Sequence, residues 1–401
     1  MGGIDLAVTL AGVSIGTEMT GRRDARPMAI MVGIAVLFAA VLYSAVAGGR
    51  LSGGGPSLAA VTPSPSPHVA APTVTFLHQT CCTQAARFLD AAWGSNERIS
   101  AASFSLDPAP PFACSATVDA TGLAGRFGCV GLLAGATDFV GHLLLTTDAG
   151  TFTYEHAFRT MGDSLQGVKW FTEFEDPTGD PVECAAASVR MIQLYTTGED
   201  KLTATEILQA GRAFNKSADP GIDPAAIATE IHQLDPRNTY HYYRFATRAD
   251  ATGAAVYWLL RSGKPVIAIT LAGQHAPVVT GFQGTYGTYY DDPNNKITGV
   301  VVEDPQRGDL NPATAGRRPD KPRAADYQTG HLVPLQEWNT DDWWLGYAYQ
   351  GTIKMPNGSY LNIDRNDRAY PTPHWAGKFV ILVDDGDAAN PPDREGRVTF
   401  R

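Results

Sequence analysis

The rhythm of apolar and polar positions changes along the chain, and each change marks an element or a boundary. Met28 to Ala47 is an uncharged run of 20 residues with no polar face. From Gly48 to Thr73 periodicity vanishes and Gly, Pro and Ser dominate, with Thr62 to Pro67 alternating proline with serine or threonine. Thr80 to Trp93 carries apolar or small residues at helical spacing and is closed by Gly94, which predicts a helix. Cys114 to Thr121, Gly125 to Leu133, Phe139 to Thr147 and Thr151 to Phe158 are short β-prone runs separated by turn residues, which predicts strands.

A second regime follows Lys169. A helix is predicted to open at Asp180, with Pro181 at its first position and Glu183 completing a capping box. Val189, Met191, Ile192 and Leu194 spread apolar surface around it, so it belongs in an interior. Thr203 and Glu206 form another capping box, opening a helix to about Phe214. Asp223 with Pro224 opens one reaching Leu234, and a further helix covers Thr252 to Arg261, closed by Gly263. Strands are predicted at His241 to Thr247, Val266 to Thr270, Ala276 to Phe282, Ile297 to Val302 and Phe379 to Val383. Residues 306 to 330, rich in Arg, Pro, Asp and Gly, read as a long surface loop.

These patterns predict an α+β protein with a transmembrane helix, a small helix-plus-antiparallel-sheet domain and a larger α+β domain. The divisions are a cytoplasmic N-terminus over 1–27, the membrane helix over 28–47, a semi-stiff spacer over 48–74, the small domain over 75–165, the larger domain over 166–386 and a tail over 387–401. Twenty residues suffice to cross the ~30 Å apolar core of a bilayer. Arg22, Arg23 and Arg26 precede the run, and after Arg50 no Lys or Arg occurs before Arg87, so the bulk of the chain is expected outside the cell, held by a single-pass anchor in the cell membrane. The competing reading is a cleaved signal peptide ending at Ala45 to Ala47; both readings export the rest.

Composition adds exclusions. Among 401 residues the net charge is −10, which argues against a nucleic-acid partner. The five cysteines are Cys81, Cys82, Cys114, Cys129 and Cys184. In an oxidising compartment they read as up to two disulfides and one unpaired thiol, Cys184. Cys114 and Cys129 flank a hairpin, vicinal Cys81 and Cys82 are poor mutual partners, and the pairing itself stays open. No metal-binding spacing is present and no cofactor is expected. His142 and His156 read as ordinary strand residues, and the aromatic group Trp338, Trp343, Trp344, Tyr347 and Tyr349 reads as packing before substrate groove.

Cys184 falls in the first turn of a helix, where the positive end of the dipole favours a thiolate. His275 begins one strand and Asp304 ends another. If those strands are antiparallel neighbours joined through Thr285 to Asn295, imidazole and carboxylate lie side by side. A thiol, a base and an orienting acid make up the parts list for covalent acyl transfer.

With these residues in that order, the chain resembles the papain-like cysteine peptidases, and within them the bacteriocin-processing-peptidase-like branch. The matching pieces are Cys184 to Ser188, Gly263 to Ile267 leading to His275, Val278 to Phe282, and Val301 to Pro305. The resemblance implies a helix-bundle half packed on an antiparallel sheet, hydrolysis of peptide bonds in a peptide or protein substrate, and Cys184 as nucleophile, His275 as base and Asp304 as orienting residue. It departs from the family in having Ala185 where a glycine follows the cysteine. Phe171 to Glu183 also offers Glu173, Glu175 and Glu183 where family members place an oxyanion-binding glutamine, so Gln274 and the N–H of Cys184 become the substitute donors. Two other readings share the fold: a non-catalytic cell-surface binding module, and a transglutaminase-like or cell-wall-peptide acyltransferase. The small domain's element order resembles the nuclear-transport-factor-like and cystatin-like folds.

Overall fold

The computed structural model describes residues 71–76, 84–173, 182–287, 292–306, 330–341, 343–347, 350–354, 360–364 and 375–386. Met28 to Ala47, Cys81, Cys82, Asp180, Pro181, Tyr349 and most of the 306–330 loop lie outside these residues. Among the described residues no helix is long and apolar enough to cross a membrane.

The first module is built of strands. β1 (Val74–Phe76), β2 (Phe88–Ser95), β5 (Ala124–Leu132) and β4 (Cys114–Val118) form one sheet in the order β1-β2-β5-β4. β3 (Ala101–Asp107), β6 (Asp138–Thr147) and β7 (Gly150–Arg159) form another in the order β3-β6-β7. Every ladder in both is antiparallel. Strict alternation along β6 turns Phe139, Leu143 and Leu145 inward, where they share one core with Trp93, Ile99, Phe104, Leu106 and Leu133. Cys114 and Cys129 are cross-strand partners in the β4–β5 ladder and are disulfide-bonded.

Here the structure corrects the sequence reading. Of the helix expected over Thr80 to Trp93, the described residues 84–93 hold no helix, and from Phe88 on they are strand β2. Its spacing misleads for a physical reason. Leu89 and Trp93 pack in the module's own core while Phe88 is buried in the second module's, so both sides of the strand are apolar and the two-residue alternation is hidden. No helix occurs among the described residues of this module, so its likeness to helix-plus-sheet cones has no helix to rest on. Strand β3 was not anticipated, because its serines broke the apolar run.

The second module mixes helices with a six-stranded antiparallel sheet. Its helices are α1 (Cys184–Thr197), α2 (Ala204–Gly211), α3 (Pro224–Leu234) and α4 (Arg248–Ser262), with a short α5 (Leu335–Trp338). Its strands are β8 (Tyr240–Phe245), β9 (Val266–Ile269), β10 (Val278–Thr285), β11 (Lys296–Glu303), β12 (His331–Pro334) and β15 (Phe379–Asp384), in the order β12-β11-β10-β9-β15-β8. β13 (Gln350–Lys354) and β14 (Tyr360–Asp364) pair as a separate hairpin. The chain is thus a mixed α+β protein with antiparallel sheets, as expected.

Local chemistry explains the helix bounds. Thr203 and Glu206 make both hydrogen bonds of a capping box, Asp223 caps the N–H of Ala226, and Gly198 and Gly263 close α1 and α4 in the left-handed conformation. α4 starts earlier than its apolar pattern suggested, because Thr247 caps Asp250 and the polar first turn is helical too. Trp338, Trp344 and Tyr347 are buried in the core, in agreement with the packing reading.

The two modules meet along a cleft of about 520 Å³. Its cations are paired: Arg126 and Arg261 with Asp90, Arg237 with Asp235, and Lys264 with Asp384. The connecting segment is also hydrogen-bonded into the second sheet. Leu165 donates to Thr280 and Phe282 donates to Asp163, with Ser164 and Gly281 bridged antiparallel. Gly281 is required there, since a Cβ would stand 2.3 Å from Ser164 Oγ.

Candidate active site

α1 begins at Cys184, one residue beyond Glu183, which occupies the N-cap position without capping. Glu183 therefore departs from its expected place as third helical residue, and its carboxylate takes a hydrogen bond from Thr205 at 2.8 Å. The first N–H groups of a helix have no intrahelical partner, so the amide of Cys184 points out of the helix end with the dipole behind it. Cys184 Sγ lies 3.7 Å from the main-chain carbonyl of Gln274. One turn on, the Ser188 hydroxyl donates to the carbonyl of Ala276. The cysteine helix is thereby fastened on both sides of His275.

His275 stands at the end of a tight loop. Thr270 and His275 bridge each other, and between them Leu271, Ala272 and Gly273 all have positive φ, at 47°, 59° and 89°. For the leucine and alanine this conformation is strained and persists only because the surroundings enforce it. Ala272 donates to Leu345 at 3.0 Å, and a Cβ on Gly273 would sit 2.5 Å from the Tyr347 ring. Asp304 follows directly on β11. In the β10–β11 ladder Val278 faces Glu303, so the start of one strand does lie beside the end of the other. His275 Nε2 donates to Asp304 Oδ1 at 2.7 Å, and both side chains are buried. That oxygen also accepts from the Gln306 N–H at 2.9 Å, while the Trp170 indole holds the Asp304 carbonyl.

With Nε2 committed to Asp304, the other ring nitrogen, Nδ1, is buried and has no hydrogen-bond partner. A ring nitrogen of His275, Cys184 Sγ and a carboxyl oxygen of Glu173 lie within 4.8 Å of one another. Desolvation pulls the His275 ring down, but the charge and hydrogen bond of Asp304, aided by Cys184, hold it well above the ordinary imidazole value. Burial pushes the Cys184 thiol up, against the ring and the Ala185 amide. The helix terminus alone suggested a ready thiolate, and here desolvation outweighs it. The proton is resisted in leaving sulfur and welcomed at the ring.

Cys184 and His275 line a narrow cleft of about 30 Å³ together with Ile222, Gly273, Gln274 and Tyr347. The main-chain N–H of Gln274 is committed to Leu271, so its backbone offers this cleft a carbonyl and no donor. Glu173 was singled out in the sequence only as a residue standing in place of a glutamine. Its proximity to the sulfur became visible through a long-range contact, its N–H bonding the carbonyl of Pro305 at 3.1 Å.

A cysteine heading a helix, a buried imidazole and an acid on adjoining strands are the arrangement on which comparison turns. Residues 165–309 match the Peptidase_C39 like family. That span includes Glu173, Cys184, His275 and Asp304, and it supports a papain-like cysteine peptidase family for this module. The strand module lies almost entirely outside it. No curated protein matches the chain.

Proposed function

We propose that the second module hydrolyses peptide bonds by covalent catalysis at Cys184, in the manner of the bacteriocin-processing branch. The observation that carries this reading is the chain of contacts from Asp304 through Nε2 of His275, with the ring and Cys184 Sγ inside a 4.8 Å cluster. His275 takes the thiol proton at Nδ1 as sulfur attacks the carbonyl carbon. Asp304 fixes the ring and stabilises the imidazolium. That proton then passes to the departing amine. Water, deprotonated by the same ring, hydrolyses the thioester and restores the thiol. The unpartnered N–H at the head of α1 supplies one donor to the oxyanion.

We further propose that Met28–Ala47 anchors the chain in the cell membrane with both modules on the extracytoplasmic side. The Cys114–Cys129 disulfide supports an oxidising compartment.

Turnover of a casein-derived peptide mixture and alkylation by iodoacetamide at neutral pH test the enzymatic reading. Wild type is expected to cleave and to be labelled at Cys184, located by peptide mapping, and Cys184→Ala to lose both the cleavage and that label. Cleavage surviving in Cys184→Ala rejects the nucleophile. A wild-type thiol inert to iodoacetamide favours a binding module, and product cross-linked to an added amine favours acyl transfer.

A further inference from the structure

The group beside Cys184 and His275 that this reading leaves without a task is Glu173. Its residue is 1% exposed, and its Oε2 has no hydrogen-bond partner. Buried carboxyl oxygens are rarely left so, and an orphaned one at a reaction centre calls for a ligand. No neighbouring group fills that need at Oε2: the carboxyl is acted on by the Gln306 side chain, but neither Cys184 nor His275 bonds it. A donor acts on an oxyanion from about 2.7–3.1 Å. The oxyanion is two bonds from sulfur, so a carboxyl oxygen no more than 4.8 Å from Sγ is within reach of it.

We propose that Glu173, as the neutral acid, donates a hydrogen bond from its carboxyl to the oxyanion that forms when Cys184 attacks a peptide carbonyl. This rests on the reading of Cys184 as nucleophile. In that step the Sγ–C bond forms and the carbonyl π pair moves to oxygen, while the Glu173 O–H holds that oxygen without surrendering its proton. Collapse returns the pair, the C–N bond breaks, and the amine takes its proton from the His275 imidazolium. An ionised Glu173 would set like charge against the oxyanion, so activity is confined to the range in which the acid keeps its proton.

The surroundings keep that range accessible. Burial lifts the Glu173 carboxyl to about 7. The groups acting on it from neighbouring elements are His275, which lowers it, Asp304 and Glu183, which raise it, and the Gln306 hydrogen bond, which lowers it. Each further unit of pH above that value removes about tenfold of the donating form.

The test is titration of the full chain, in EDTA, with acetyl-alanyl-glycinal, a small aldehyde whose hemithioacetal with a thiol carries the same oxyanion. Wild type is expected to bind about 30-fold more weakly at about pH 8.5 than at about pH 5.5. Glu173→Gln, an isosteric and permanently neutral donor, should bind alike at both, and Glu173→Ala weakly at both, by about 100-fold. A Gln variant that keeps the wild-type pH dependence overturns the proposal. If Cys184→Ala binds as tightly as wild type, the nucleophile reading fails and takes this proposal with it. If Cys184→Ala loses binding while Glu173→Gln behaves as wild type, only the role of Glu173 falls. Should wild type not bind the aldehyde, infrared difference spectra decide: a protonated-carboxyl C=O band that fades as pH rises through about 7 and is missing in Glu173→Gln upholds the neutral acid, and its absence overturns it.

Discussion

Val278 lies directly opposite Glu303 across the β10–β11 ladder, and this pairing puts His275 and Asp304 in contact. Both partners sit just off the ends of paired strands. A slip of one residue in register would turn either ladder's side chains to the opposite face. The site is therefore held by the sheet and only finished by the loops.

Replacing Asp304 with Asn should keep the fold while removing the charge that holds the imidazole. A fall in kcat of about 10³–10⁴-fold with little change in KM is expected. The ring should also lose its proton at lower pH than in wild type, since Asp304 is what raises it. NMR titration of His275 reads that shift directly. A variant with unaltered kcat would remove Asp304 from the mechanism.

Gly273→Ala addresses the loop that presents His275. At φ 89°, and with a Cβ 2.5 Å from the Tyr347 ring, alanine is strained twice over. Thermal melts should show a loss of about 1–3 kcal/mol. Turnover measured well below the melting temperature should fall by about 100-fold, because small displacements of a catalytic group are costly. Normal turnover in a folded variant would show that the loop tolerates movement.

Glu173 should also leave a mark on stability. Its carboxyl titrates near 4.5 when unfolded and at about 7 when folded. Between those values the native protein holds a proton that the unfolded chain has lost, so stability falls as pH rises through the interval, by about 3 kcal/mol in all. Denaturant melts of Glu173→Gln should show that decline removed. Parallel curves for the two proteins would mean that the carboxyl titrates normally.

Cys114→Ser with Cys129→Ser should cost about 3 kcal/mol, the value for closing a loop of this size, with a sequence separation of 15. Peptide turnover at low temperature should be untouched, because the bridge lies within the strand module. Melts with and without reductant make the comparison, and a melting temperature indifferent to reductant would refute it.

The second module was legible because its signals are local. Capping residues at Thr203 and Asp223, terminal glycines at Gly198 and Gly263, and β-branched runs at Val266 and Val300 each agree with the element they belong to, so pattern and structure coincide. The His275–Asp304 contact followed from assuming a hairpin between their strands. The first module misled because strand β2 is apolar on both sides, with Phe88 in one core and Trp93 in another, which imitates helical spacing. The chemistry of Glu173 was illegible for another reason: whether a carboxyl is charged depends on its burial, and burial is decided by segments far away in sequence, here around Asp304 to Gln306.

The bridge between Ser164 and Gly281 bears on how the protein is dissected. β9 covers only the first residues of β10, and the segment Asp163 to Leu165 hydrogen-bonds the stretch beyond. A truncation placed where the family match begins, at residue 165, would strip that cover and leave an open strand edge, an invitation to aggregate. Excising the second module therefore means starting upstream of Asp163, and the strand module is better regarded as a fixed bracket than as detachable cargo.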